Sequence, residues 1–387
     1  MAKRIAFLTP TFATENANGG GLASYLNRMT RALVARGHEV EVFVLSDHRP
    51  GMIHHGGVRV ERVNGKPRGW LGLGRALRLW RAPAEIMAGA KSLAAALEKR
   101  ESEQGFDLVQ SSDYFAPGRY VPARAGRVHA VRSSCARELM GQVDQGDSAR
   151  TRYWWTKFES EAVGAAEVAY APSEFVAKYY RERLGREVKV VRPPGEVIDL
   201  NLARVDGVEL PAKYLLHFGQ LRPYKGTAWL LDALEAAWRE ERELTVVMAG
   251  PVRDSALRRR LEQMKGERRL VMMENLERGE MFGVIQRSEA TVLPSLADNL
   301  PNTVIESLAL GVPVIGGRGA SVDELVEEGV TGELAALGDV AGLARLMVRA
   351  WRGEMVRKGF VWRSAVQEQM EPGRAVQALG EAVGVAL

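Results

Sequence analysis

"ATVLPSLADNLPNTVIESLALGVPVIGG", residues 290–317, contains one complete strand–loop–helix–strand unit. ATVLPS (290–295) and VPVIGG (312–317) are short, continuous apolar runs. Strands of a parallel sheet read this way, because both of their faces are covered. A helical stretch lies between them, and Gly311 stands where a helix C-terminus would end. Strand, helix and parallel strand make a βαβ unit, and a chain built of such units is doubly wound α/β. The same alternation extends outward. RIAFLTP (4–10), VEVFVL (40–45), DLVQSS (107–112), VHAVRSS (128–134), VAYAPS (168–173) and VKVVRPP (188–194) form one series of expected strands. YLLHFGQL (214–221), LTVVMAG (244–250) and RLVMME (269–274) join the opening pair in a second. The segment 192–214 between the series is rich in Pro, Gly and Asp and weak in period, which marks a linker. The sequence therefore predicts two parallel-sheet, Rossmann-like domains facing across a cleft. Ligands of such sheets bind outside the carboxyl ends of the strands.

The totals agree with a two-domain globular chain: 387 residues, 46% hydrophobic and 26% charged. Cys135 is the only cysteine, which excludes an internal disulfide or a cysteine-rich zinc module and fits a reducing compartment. The N-terminus MAKRIAFLTP lacks the apolar segment of a signal peptide, and no 18 apolar residues run together. The expected location is cytoplasmic. The net charge of +5 favours anionic partners, and no nucleic-acid-binding pattern is present.

Three stretches could carry chemistry. TFATENANGGGLASYLN (11–27) places glycines between a strand and a helix. Backbone N–H groups and a helix terminus there would cradle a phosphate, although a flexible loop would read the same. HFGQLRPYKGTAWLLDAL (217–234) puts Arg222 and Lys225 just past a strand, where two cations would neutralise a diphosphate, or would simply be solvated. In the opening stretch Asp298 and Glu306 bracket a helix start at Asn302. One reading is local: Thr303-x-x-Glu306 as a capping box, with Asp298 bracing the turn before Pro301. The other is functional: the helix N-terminus holds an anion while Glu306 and Asp298 accept hydrogen bonds from sugar hydroxyls.

In order along the chain, the Gly-rich loop at 19–21, RPYKG at 222–226, and D-x7-E followed by SLALGVPVIGG resemble the retaining glycosyltransferases of family GT4. LVARGHEVEVF (33–43), APSEFV (171–176) and GASVDELVEEGVTGEL (319–334) extend the resemblance over nearly the whole chain. It implies the GT-B fold, with an acceptor-side domain at 1–195, a nucleotide-sugar domain at 196–365 and a helix at 366–387 crossing back to the first domain. It implies transfer of a sugar from a nucleotide-sugar donor (a UDP- or GDP-sugar) to a hydroxyl of a sugar or lipid-linked acceptor, in polysaccharide or glycolipid synthesis. Configuration is retained, and neither a cofactor nor a metal is needed. Gly20 and Gly21 would approach the donor diphosphate, and Arg222 and Lys225 would neutralise it. Asn302 and Thr303 N–H groups would hold the distal phosphate, Glu306 the ribose, and Asp298 the transferred sugar. The chain departs from the family pattern at three places: Asp298 replaces the usual Glu, Gln220 the usual Arg, and VRSSC (131–135) carries no His. A non-catalytic nucleotide-sugar-binding protein and a sugar-nucleotide epimerase remain alternatives on the same fold. NGKPRGWLGLGRALRLWRAPAEI (64–86) mixes Arg and Lys with Trp and Leu. It would suit a peripheral contact with an anionic membrane at its inner face, or an amphipathic helix packed on its own domain.

Overall fold

The apolar runs form buried parallel strands in the computed structural model, which describes every residue except 16–19, 68–80, 135, 142–147, 196–201 and 265–268. The chain divides into two units, Met1–Glu196 with Ala365–Leu387, and Val197–Ser364.

The first unit is built on strands β1 (Arg4–Thr9), β2 (Glu39–Leu45), β3 (Gly51–His55), β4 (Val58–Val63), β5 (Leu108–Ser112), β6 (Val128–Arg132), β7 (Val168–Ala171) and β8 (Lys189–Val190). Their order in the sheet is β3-β4-β2-β1-β5-β6-β7-β8. Both faces are covered, which is why β1 reads as an unbroken apolar run. Ile5 and Phe7 pack with Tyr25, Leu26, Met29 and Leu33 of helix Gly20–Ala35. Ala6 and Leu8 pack with Leu93 and Leu97 of helix Arg81–Glu103. The C-terminal helix Pro372–Val383 belongs to this unit and adds Val376, Leu379 and Val383 to the first of these cores.

Two strands of this sheet are absent from the apolar-run reading. β3 and β4 form an antiparallel hairpin in register His55↔Val58. Gly56 and Gly57 both have positive φ, 59° and 81°, which suits a two-residue turn matched to strand twist. On β4, buried Val58 and Val60 alternate with half-buried Arg59 and Glu61, and Val63 is buried at the strand's end. β8 is two residues long because Pro193 and Pro194 follow it without N–H groups to continue the ladder.

The second unit holds β9 (Leu215–Phe218), β10 (Val246–Ala249), β11 (Leu270–Met273), β12 (Thr291–Leu293), β13 (Val314–Gly317) and β14 (Gly332–Ala335). β14 also escaped the apolar-run reading, since only Leu334 and Ala335 of its GELA form an apolar run. All pairings are parallel, in the order β11-β10-β9-β12-β13-β14. From β9 the chain winds outward one way to β11, then returns to β12 and winds the other way. The reversal between β9 and β12 is the topological switch point of this sheet.

Among the described residues no helix is long and apolar enough to cross a membrane. Most of the basic–aromatic stretch 64–86 lies outside the described residues. Its described end packs Ile86 against Ala116, Trp155 and Phe158.

Candidate functional site

The loops leaving β9 and β12 meet at the switch point. After β9 the chain makes a single 3-10 turn, Pro223–Lys225, closed by the Lys225 N–H donating to the Arg222 carbonyl at 3.1 Å. Gly226 follows with φ 73°, and a Cβ there would stand 1.8 Å from the Pro294 carbonyl oxygen. Only glycine lets the two loops approach so closely. The Tyr224 carbonyl then accepts from the N–H groups of Leu296 (2.8 Å) and Ala297 (3.3 Å), tying the β9 loop to the β12 loop. Helix Thr227–Ala237 starts at once.

This junction places Lys225 against Asp298. The Lys225 Nζ donates to the Asp298 Oδ2, with side-chain exposures of 23% and 12%. Burial works against the lysine charge, but the Asp298 carboxylate outweighs it and holds the Lys225 pKa above its ordinary value. The Arg222 guanidinium and the Lys225 ammonium lie 5.9 and 5.5 Å from the Tyr224 ring centroid. Two cations therefore flank one aromatic ring at the switch point. Asp298 Oδ1 accepts from the Asn299 N–H at 2.9 Å, which leaves that oxygen room for another donor.

Helix Asn302–Ala309 begins after Pro301, which has no side chain to cap it. The capping-box reading is thereby corrected: Thr303 lies inside the first turn, and its carbonyl accepts from Ser307 Oγ at 2.8 Å. Val304 and Ile305 N–H groups both turn to the Pro301 carbonyl. The N–H groups of Asn302 and Thr303 are the first two of the helix and have no acceptor among the described residues. Such groups carry the positive end of the helix dipole. Glu306 is half-buried one turn further on. Among the described residues, no three His, Cys, Asp or Glu side chains gather where they could hold a metal ion.

Two supporting residues were invisible in the sequence. His217 on β9 is 2% exposed, and its Nδ1 lies 2.7 Å from the Val292 carbonyl on β12. A carbonyl only accepts, so Nδ1 carries the proton and Nε2 accepts from Thr227 Oγ1 at 2.9 Å. Burial lowers the His217 pKa to about 4, and the ring stays neutral. One imidazole thus pins β9, β12 and the first residue of helix Thr227–Ala237, two positions from Lys225. Ser321 is fully buried with φ 60°, an unusual backbone for a residue other than glycine. Its Oγ donates to the Asp298 carbonyl at 3.1 Å and fixes the acidic loop from the far side. The partners are 10, 75 and 23 residues apart in sequence, so no local pattern signals them.

Gly20 and Gly21 open helix Gly20–Ala35 in the first unit, at the carboxyl end of β1. A Cβ on Gly20 would meet nothing within 4 Å, so open space surrounds it. Gly19 lies outside the described residues.

Comparison with known proteins places this geometry. Residues 212–352 match the family described as glycosyl transferases group 1, and residues 20–195 match the glycosyl transferase 4-like domain. A D-inositol 3-phosphate glycosyltransferase from Nocardiopsis dassonvillei is 25% identical, over 96% of this chain and 93% of its own. Sucrose-phosphate synthase from Thermosynechococcus elongatus superposes with a TM-score of 0.69 at 19% identity, covering 98% of this chain and 96% of that one. Anabaena HepE, solved with UDP and glucose, superposes with a TM-score of 0.66 at 16% identity over the full length of both chains. The two family matches fall one on each unit, and the superpositions span both. The chain belongs to the group 1 glycosyl transferases of family GT4, a glycosyltransferase with the two-domain GT-B fold.

Proposed function

We propose that the enzyme transfers a sugar from a nucleotide-sugar donor to a hydroxyl of a sugar or lipid-linked acceptor, with retention of configuration and no metal at the diphosphate. The observation that carries this reading is the contact between Lys225 and Asp298 at the switch point, beside the start of helix Asn302–Ala309. Each part has one task. Arg222 and Lys225 neutralise the donor diphosphate, and the N–H groups of Asn302 and Thr303 hold its distal phosphate. Glu306 accepts from the ribose diol. Asp298 accepts from a hydroxyl of the transferred sugar through Oδ1 while its other oxygen steadies Lys225. Gly20 and Gly21 let backbone approach the diphosphate.

The bond from C1 of the sugar to the diphosphate oxygen breaks, and a bond from C1 to the acceptor oxygen forms on the same face. The acceptor proton passes to the departing phosphate oxygen. The work left for the protein is stabilising negative charge on the leaving group, which fixed cations and a helix terminus do without reorganising. HepE holds UDP and glucose, which favours a UDP-hexose as the first donor to try. The inositol-phosphate transferase among the relatives favours a polyol or sugar acceptor. A cytoplasmic location remains part of this proposal, as does a peripheral membrane contact through residues 64–86.

A thermal-shift panel of UDP, GDP, ADP and their sugar conjugates, run with EDTA, tests the reading. A ligand at a hundred times its Kd adds about 2.7 kcal/mol to the folded state. For a unit of this size that raises Tm by roughly 5–10 °C. One nucleoside diphosphate should give such a shift, and the anomeric configuration of the product, read by NMR, should match the donor. Absence of any shift at millimolar ligand would reject the donor site.

A further inference from the structure

We propose that Arg132 is an anion-recognition site of the first unit, taking a phosphate or carboxylate carried by one of the two sugar substrates. The proposal rests on the glycosyltransferase reading above and adds the charge class of a substrate. Arg132 is the last residue of β6 and is 6% exposed. Its guanidinium lies 3.8 Å from the centroid of the Tyr25 ring. Nη1 donates to Ser134 Oγ at 2.7 Å, while the buried Nε has no acceptor. Among the described residues no carboxylate comes within ion-pair distance of it.

A second buried arginine in the same unit shows what compensation looks like. Arg127 is 3% exposed, and its Nη1 donates to both oxygens of Glu101 at 2.8 and 2.6 Å. Asp113, fully buried at the end of β5, gives Arg132 no such partner. Its carboxylate accepts instead from the N–H groups of Tyr114 (2.8 Å), Ser134 (2.6 Å) and Ala136 (3.1 Å) and from the Tyr180 hydroxyl (3.0 Å). A buried charge without a counter-charge is unfavourable for folding, and an aromatic face repays only part of that. A buried arginine that no described carboxylate meets points to a ligand that supplies a counter-charge.

The surroundings suit a ligand. β1 and β5 are the neighbours between which the first sheet reverses its winding, and Arg132 stands at the carboxyl end of the strand beside β5. Ligands of open α/β sheets bind there. Tyr25 belongs to the helix that starts at Gly20, so the positive end of that helix is one turn away. The Tyr25 hydroxyl lies 3.1 Å from both Gln110 Oε1 and the Tyr170 hydroxyl, and Tyr170 donates to Gln110 at 2.5 Å. The ring under Arg132 is therefore a fixed platform. Ser133, next in sequence, is fully buried and its Oγ also has no partner. Nη1 is committed to Ser134, and the planar fork of the guanidinium is the group that grips a carboxylate or phosphate with parallel bonds.

The test uses the full chain and thermal shift. Wild type, Arg132→Met and Arg132→Lys are compared with glucose 6-phosphate, glucuronate and glucose, then with UDP-glucuronate and UDP-glucose. UDP alone is the control. Wild type should bind an anionic sugar at least tenfold more tightly than its neutral counterpart. Preference for the free anionic sugars assigns Arg132 to the acceptor, and preference for UDP-glucuronate assigns it to the donor. Arg132→Met should abolish the preference, keep the UDP shift and melt higher than wild type without ligand. Arg132→Lys should fold and lose about tenfold in the preference, because a point charge replaces the fork. An equal response to anionic and neutral sugars in wild type would overturn the proposal, as would an Arg132→Met variant that melts lower yet keeps the preference. Loss of the UDP shift in wild type would instead strike the glycosyltransferase reading.

Discussion

Lys225 carries its charge into a largely buried position because Asp298 meets it there. The pair has a consequence for how each residue acts on the donor. A diphosphate arriving at Lys225 joins a cation already half-neutralised, so Asp298 sets how strongly Lys225 attracts phosphate. Asp298→Ala should therefore leave affinity for free nucleoside diphosphate unchanged or raised, while affinity for the sugar-bearing donor falls about tenfold, roughly the worth of one charge-assisted hydrogen bond. Folding stability should drop by about 1–2 kcal/mol, less than for a fully buried pair, since water reaches both groups. Calorimetric titration with UDP and a UDP-sugar separates the two affinities, and equal losses for both would remove Asp298 from sugar recognition. Glu306 makes the converse case. The helix it belongs to begins at Pro301 without a side-chain cap, so the capping role that competed with ribose binding has no geometry behind it. Glu306→Ala should weaken free UDP at least tenfold, a loss read by the same titration. A fall in Tm with unchanged UDP affinity would return Glu306 to a structural role.

The site depends on where β9, β12 and helix Thr227–Ala237 stand relative to one another, and one buried imidazole joins all three. His217→Ala would strand the Val292 carbonyl and the Thr227 hydroxyl in a cavity. The expected cost is about 2–4 kcal/mol from the void and the lost hydrogen bonds. Because Thr227 is two residues from Lys225, donor KM should rise several-fold in conditions where the variant is still folded. Donor KM equal to wild type, with only stability lowered, would confine His217 to the core. The βαβ unit at 290–317 was legible because its strands are apolar on both faces and its loop residues are local. Lys225 and Asp298 were legible as candidates because each follows a strand in a Gly- or Pro-marked loop. Their direct contact was not, since 73 positions separate them. β3 and β4 escaped because an edge hairpin alternates rather than running apolar. Arg132 stood in plain view in VRSSC, yet its burial with no described carboxylate beside it is a property of the folded chain that no spacing encodes.

Across the whole molecule the buried titratable groups make stability depend on pH from both sides. His129 in the first unit, 3.0 Å from Ser111 Oγ, and His217 in the second are both lowered to about 4 by burial. Their folded forms refuse a proton that the unfolded chain accepts, so stability is full above the ordinary histidine value. It falls as pH drops from about 6.5 towards 4, by up to about 3 kcal/mol for each ring. Glu159 acts in the opposite direction. It is 1% exposed, accepts from the Arg137 N–H at 3.0 Å, and has its other oxygen without a partner. Burial, aided by the nearby Asp113 charge, raises its pKa well above the ordinary value. The folded state keeps this carboxyl protonated while the unfolded chain releases the proton. Stability is therefore lost as pH rises above the ordinary glutamate value, by about 1.4 kcal/mol for each unit until the folded group ionises. Glu159→Gln keeps the shape and the acceptor for Arg137 but removes the titration. The variant should match wild type near pH 4.5 and become progressively more stable as pH rises. Urea midpoints at pH 5, 6, 7 and 8, compared between wild type and Glu159→Gln, read the gap directly. A gap constant across that range would mean that Glu159 ionises normally in the fold and that its burial is compensated elsewhere.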